Sequence, residues 1–150
     1  MTAVPLVPAD FRIPAGLRTE LFVLEPLGPQ HNEADYAAWA GSIEHIRQTP
    51  GFAGRTWPAP MPLEQNAADL AMHARDFVER SGFAYTVLEP ASGDVIGCVY
   101  FYPPRREGYD VDVRSWVRAD RAELDKPLYD VISQWLADSW PFAKPDYASR

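Results

Sequence analysis

Tyr109-Asp-Val-Asp-Val-Arg-Ser-Trp-Val-Arg-Ala-Asp-Arg-Ala-Glu-Leu-Asp-Lys-Pro-Leu-Tyr-Asp-Val-Ile-Ser-Gln-Trp-Leu136 decides the fold of this chain of 150 residues. In its first half the period is two. Val111, Val113, Ser115 and Val117 share one face, and Asp110, Asp112, Arg114 and Trp116 the other, which is the alternation of a strand. In its second half Leu124, Leu128, Val131, Ile132, Trp135 and Leu136 recur at three and four, drawing one wide apolar stripe along a helix. A strand running straight into a helix N-terminus brings free amides and the positive end of the helix dipole to one spot, where anions bind.

Upstream of this stretch the period of two continues. Phe83, Tyr85 and Val87 alternate with Ala84, Thr86 and Leu88, and Pro90-Ala-Ser-Gly-Asp94 is a turn of hairpin length. Val95 to Tyr102 is almost wholly apolar, as a central strand covered on both faces would be. Gly97 within it marks a bulge or a close backbone approach. Residues 83–118 therefore read as an antiparallel meander of three strands. Before it the spacing predicts two helices. One spans 32–48 on Tyr36, Trp39, Ala40, Ile43 and Ile46, with Asn32 as N-cap and Glu33 and Asp35 in the first turn. The other spans 63–80 on Leu63, Ala67, Leu70, Ala74 and Phe77, stopped by Ser81-Gly82. Leu17 to Leu27 holds a first strand. Pro5, Pro8 and Pro14 keep residues 1–16 from helix and make them an extended arm, leaving 17–150 as one domain.

Hydrophobic residues make up 47% of the chain, enough for a real core. A formal net charge of −7 argues against a nucleic-acid surface. Cys98 is the only cysteine, so no disulfide forms within the chain. Neither a leader nor a long apolar run is present, and the expectation is a soluble cytoplasmic protein with no membrane partner. His31, His45, His73 and Cys98 lack the spacing of a metal site, and His73 falls off its helix stripe and reads as a surface residue. Residues 49–62 form a long loop rich in proline and glycine. Its Phe52, Trp57 and Met61 admit two readings: anchors that pack the loop on the core, or the lining of an acceptor pocket.

The order of elements is strand, helix, helix, three antiparallel strands, helix and a last strand near Tyr147. With it go three local matches. Leu17-Arg-Thr-Glu-Leu-Phe-Val-Leu-Glu-Pro-Leu27 looks like the "TERLxLRPL" opening of acetyltransferases that act on protein N-termini and antibiotics. Gly93-Asp-Val-Ile-Gly-Cys-Val99 looks like the "G.xIG.v" strand, and Val111-Asp-Val-Arg-Ser-Trp-Val117 like "AEIGYWV". On these residues the chain resembles the GCN5-related N-acetyltransferases (GNAT). The implied fold is α/β (α+β): a mixed, mainly antiparallel central sheet with helices on both faces, 32–48 and 63–80 on one and 124–139 on the other.

The resemblance implies acetyl-CoA as cofactor and a primary amine, on a small molecule or a peptide, as acceptor. It puts the pantetheine arm where the family's fourth and fifth strands splay apart, against the main chain around Trp116, Val117 and Arg118. The family rests the pyrophosphate on a Q/R-x-x-G-x-G/A loop, whose glycines let bare amides touch phosphate oxygens. Here the matching stretch is Arg118 to Pro127, with Glu123 and Asp125 in place of glycines. Without the resemblance, Asp120 or Asp125 reads as an N-cap and Pro127 as a first-turn proline. Arg118, Arg121 and Lys126 substitute charge for the missing amides. Asp112 matches the glutamate of "AEIGYWV", a base in the family; otherwise it is an exposed strand residue facing Arg114 or a neighbouring strand. The family's tyrosine acid and two last strands have no counterpart, and Tyr147 is not assigned the acid role. Two functions stay open: an N-acetyltransferase with impaired cofactor binding, and a silent domain of the same fold that binds a ligand or a protein. An uncovered sheet edge near Trp135, Trp140, Pro141 and Phe142 points to a homodimer.

Overall fold

The computed structural model describes residues 5–150. Six strands form one sheet in chain order: β1 (Leu17–Arg18), β2 (Val23–Pro26), β3 (Phe83–Leu88), β4 (Val95–Tyr102), β5 (Val111–Val117) and β6 (Pro145–Tyr147). All neighbours are antiparallel except β5 and β6, which are parallel. That parallel pair needs a crossover, and the apolar stripe of α4 (Asp125–Ser139) supplies it. The sheet is thus mixed and mainly antiparallel, as its sequence pattern predicts.

Both faces of the sheet are covered. Val111, Val113 and Val117 of β5 join Leu128, Ile132, Trp135 and Leu136 of α4 in one core cluster. Trp116, on the alternate face, joins Trp39, Ile46 and Leu70 in a second. Those residues come from α1 (Asn32–Ala40), α2 (Ile43–Gln48) and α3 (Leu63–Glu79). The arm lies on the first cluster. Val7 is buried there, the Tyr85 hydroxyl donates to the Pro14 carbonyl, and Arg80 donates to the carbonyls of Pro8 and Phe11. Residues 1–4 of the arm lie outside the described residues.

Gly97 fills both roles its position suggests. The β3–β4 register slips where Leu88 pairs with Val95, and a Cβ at Gly97 would strike the Trp116 carbonyl on β5.

Several boundaries differ from the periodic reading. The helix expected over 32–48 is two helices, because the chain turns at Gly41-Ser42. There the Ser42 hydroxyl accepts the amide of Ala119, 77 residues on in the chain. Asn32 does not cap; it is the first helical residue, and its side-chain oxygen accepts from Asn66 Nδ2. Neither Asp120 nor Asp125 caps α4. A 3-10 turn over Ala119–Leu124 leads into that helix, and the Asp125 carboxylate is turned to Arg150. The first strand splits into β1 and β2 around a turn closed by Thr19 and Phe22. Helix α3 ends one residue early, with Arg80 in the left-handed region.

Candidate functional site

The seam between β5 and β6 is short. Val111, Asp112 and Val113 pair with Pro145, Asp146 and Tyr147, and there the pairing stops. The Arg118 amide donates to Ile96 on β4, so by alternation the main-chain groups of Val117 and Ser115 face away from β4, into the opening beyond the seam. Side chains fill that opening. The Tyr147 hydroxyl bonds the Ser115 hydroxyl. Arg150 donates through Nη2 to the Ser115 carbonyl at 2.8 Å, through Nη1 to the Ala148 carbonyl at 2.8 Å, and through Nε to Asp125 at 2.7 Å. Its guanidinium lies over the rings of Tyr129 and Tyr147, and the side chain is only 3% exposed.

After β5 come the three cations picked out in the sequence. Each is already paired: Arg118 with Asp120, Arg121 with Asp120 and Glu89, Lys126 with Asp130. These pairs are surface interactions worth about 0–1 kcal/mol each, so a phosphate could compete for them. The amides are the firmer obstacle. Those of Ala119, Arg121 and Asp125 are bonded to Ser42, Arg118 and Ala122, so these three are not free to meet a phosphate. Arg150 stands where the resemblance expects the arm, and a 3-10 turn stands where it expects the phosphates. Of the expected main-chain contacts, only Val117 faces the opening: the main-chain groups of Trp116 and Arg118 are turned to Cys98 and Ile96 on β4, and the side chains of Trp116 and Val117 are wholly buried.

On the α1–α3 face, Asp112 and Arg114 project from β5 under the 49–62 loop. Asp112 is 5% exposed rather than an open strand residue. Both its oxygens accept from Arg55 Nη2, at 3.3 and 3.2 Å. Arg114 Nε lies 3.5 Å from Asp112 Oδ2, an ion pair by distance but not aligned as a hydrogen bond, so this buried nitrogen has no hydrogen-bond acceptor among the described residues. Asp112, matched to a base by resemblance, is in this structure the clamp of two arginines. A cavity of about 390 Å³ opens here, lined by Arg55, Arg105, Arg106, Arg114, Asp112 and Asp146.

Arg114 also lines a second cavity of about 240 Å³, whose wall includes Trp57, Tyr100, Asp35, Asn66 and His73. The two loop aromatics therefore part company. Phe52 is 1% exposed and stacks beneath Arg114, a core anchor; Trp57 is half-buried and forms cavity wall.

His73 is the residue that sequence reasoning missed. It is not a surface group but packs on Tyr100 and Tyr102. The Tyr102 hydroxyl donates to Asp76 at 2.9 Å and lies 2.7 Å from His73 Nδ1. A hydroxyl has one proton and that carboxylate only accepts, so His73 donates from Nδ1 and keeps its lone pair on Nε2. Burial pushes the imidazole below its ordinary value, so it stays neutral. Its off-stripe position marked it as outside the main helix contact; nothing local shows Tyr102 waiting 29 residues away. Burial also raises the Asp35 carboxyl to about 6, against the opposing hydrogen bond from Asn66 and the charge of His31. Among the described residues no group of three or more His, Cys, Asp or Glu could hold a metal ion, and no helix is long and apolar enough to cross a membrane.

A mixed sheet whose last two strands are parallel and part beside a crossover helix, with helices on both faces, is the fold of the GCN5-related N-acetyltransferase superfamily. The solved structures similar to this chain carry the same fold. One is the microcin C7 self-immunity acetyltransferase MccE in complex with acetyl-CoA and AMP, at TM-score 0.63 and 13% identity, covering 84% of this chain and 67% of that one. Another is the ribosomal-protein-S5-alanine acetyltransferase of Vibrio fischeri, at TM-score 0.58 and 11% identity, covering 81% and 66%. A third is the Salmonella typhimurium acetyltransferase that modifies the N-terminal serine of ribosomal protein L7/L12, at 0.58 and 8%, covering 79% and 66%. The chain spans about two thirds of the length of these three structures. No protein-family model matches the sequence, and no curated protein matches it.

Proposed function

We propose that this chain moves an acetyl group from acetyl-CoA to a primary amine on a small molecule or peptide, and that the form described here is closed to the cofactor. What supports this reading is the seam. It parts beyond Val113 and Tyr147, where the resemblance puts the pantetheine arm, and the Arg150 side chain lies in the opening. The acceptor's proton has a destination at Nε2 of neutral His73, whose Nδ1 proton is held in place by the Tyr102–Asp76 chain. Asp112 holds Arg55 and Arg114 in position instead of taking that proton.

A second reading, a silent domain of the same fold, is favoured by one observation: the closed 3-10 turn where a phosphate loop would stand. The two are separated by thiol release from acetyl-CoA, measured with a panel of amines on the wild type and on Arg150→Ala. Turnover in the variant supports the enzyme, and its pH profile should carry an acid limb below the ordinary histidine value that His73→Ala removes. No turnover in either protein, with both folded by circular dichroism, leaves the silent domain.

A further inference from the structure

The larger cavity carries charge that the fold itself does not use. Four arginines line it against two carboxylates, a local excess of two positive charges in a chain of net charge −7. Arg106 spends its fork on Asp146, with bonds of 2.9 and 2.8 Å. Arg55 and Arg114 share the one carboxylate of Asp112. Arg105 forms no hydrogen bond or ion pair among the described residues, and Arg114 Nε is buried without an acceptor. Burial, and after it the neighbouring guanidinium of Arg114, push Arg55 below its ordinary value. Planar guanidinium forks match carboxylate and phosphate oxygens two at a time. The volume, about 390 Å³, is that of a small-molecule pocket.

We infer that this cavity is an oxyanion site, taking the carboxylate or phosphate group of a small molecule between Arg105 and Arg114, with Arg55 beside them. The site stands on its own geometry. That the anion belongs to the acceptor rests on the proposed function: Arg114 also borders the cavity of Trp57 and His73, so a molecule anchored by its anion would extend an amine towards His73. The acceptor class is then an amine that also bears an acidic group.

The test is titration calorimetry of the full chain with inorganic phosphate and, separately, with succinate, in the absence of acetyl-CoA. Binding of at least one in the millimolar range or tighter is expected, and the stronger of the two names the chemistry. Arg105→Ala and Arg114→Gln should each weaken it by about tenfold or more. Arg118→Ala combined with Arg121→Ala, at the other anion-directed position, should leave it unchanged. Arg105 is exposed, so its variant decides the matter even where Arg114→Gln fails to fold. No binding of either anion overturns the site, as does binding lost in the 118/121 variant but kept in Arg105→Ala. Anion binding without any thiol release leaves this site standing and removes the acetyltransferase reading instead.

Discussion

Replacing Arg150 by alanine should open the chain to acetyl-CoA and weaken its fold at the same time. The guanidinium is 3% exposed and its partner Asp125 20%, so the pair is largely taken out of water. Removing one partner of a buried pair costs about 3–5 kcal/mol. Asp125 can rehydrate in part, so the lower end applies, about 3 kcal/mol. The same sum is the penalty the wild type meets whenever Arg150 leaves the Ser115 carbonyl to admit a ligand. It corresponds to roughly a 150-fold loss of affinity. An ordinary micromolar cofactor, bound by about 8 kcal/mol, would then bind at a few tenths of a millimolar. Arg150→Ala should therefore bind acetyl-CoA about a hundredfold more tightly than the wild type while melting roughly 6–12 °C lower. Arg150→Lys keeps a charge but loses the fork and should fall between them. Calorimetric titration gives the first quantity and scanning calorimetry the second. Equal cofactor affinity in the wild type and the alanine variant, with the expected loss in Tm, would refute the idea that this side chain closes a cofactor slot. An unchanged Tm would refute the energetic account itself.

Gly97→Ala sets a methyl group against the Trp116 carbonyl in the middle of the sheet and should cost about 2–3 kcal/mol, read as a lower urea midpoint; a neutral result would mean that β4 and β5 are not so closely apposed. Burial raises the Asp35 carboxyl from 3.8 to about 6, so between those values the folded chain holds a proton that the unfolded chain has released, and stability falls as pH rises through that window. Asp35→Asn should consequently raise Tm by several degrees at about pH 7.5 and little at about pH 4, and an equal shift at both would contradict the buried-acid account. Trp135 and Trp140, expected at the open edge, are instead buried in the core. We propose, finally, that β6 at the sheet edge, with Tyr129, Phe142 and Tyr147 around the adjoining hollow, is covered by a second copy of the chain; sedimentation at tens of micromolar should give a dimer, and a sharp monomer would remove the proposal.

By itself the sequence determined what period and chain order encode. Alternation along Val111–Val117 assigned each residue of β5 to its face, the three-and-four repeat from Leu124 to Leu136 assigned the buried stripe of α4, and an apolar run with one glycine located the central strand and its tight contact. These are local consequences of burying one side of an element, so they are written in neighbouring residues. It also exposed the missing glycines between Arg118 and Pro127. Tertiary structure decided which charges meet. Arg55 reaches Asp112 across 57 residues, Arg150 reaches Ser115 across 35, and His73 meets Tyr102 across 29. Such pairs leave no periodic trace, because they depend on where loops and strand ends fall once the sheet is assembled. That is why Asp112 carried a base-like motif in the sequence yet sits between two guanidinium groups in the fold, and why His73, read as a surface residue beside its helix stripe, packs on Tyr102 in the wall of the smaller cavity.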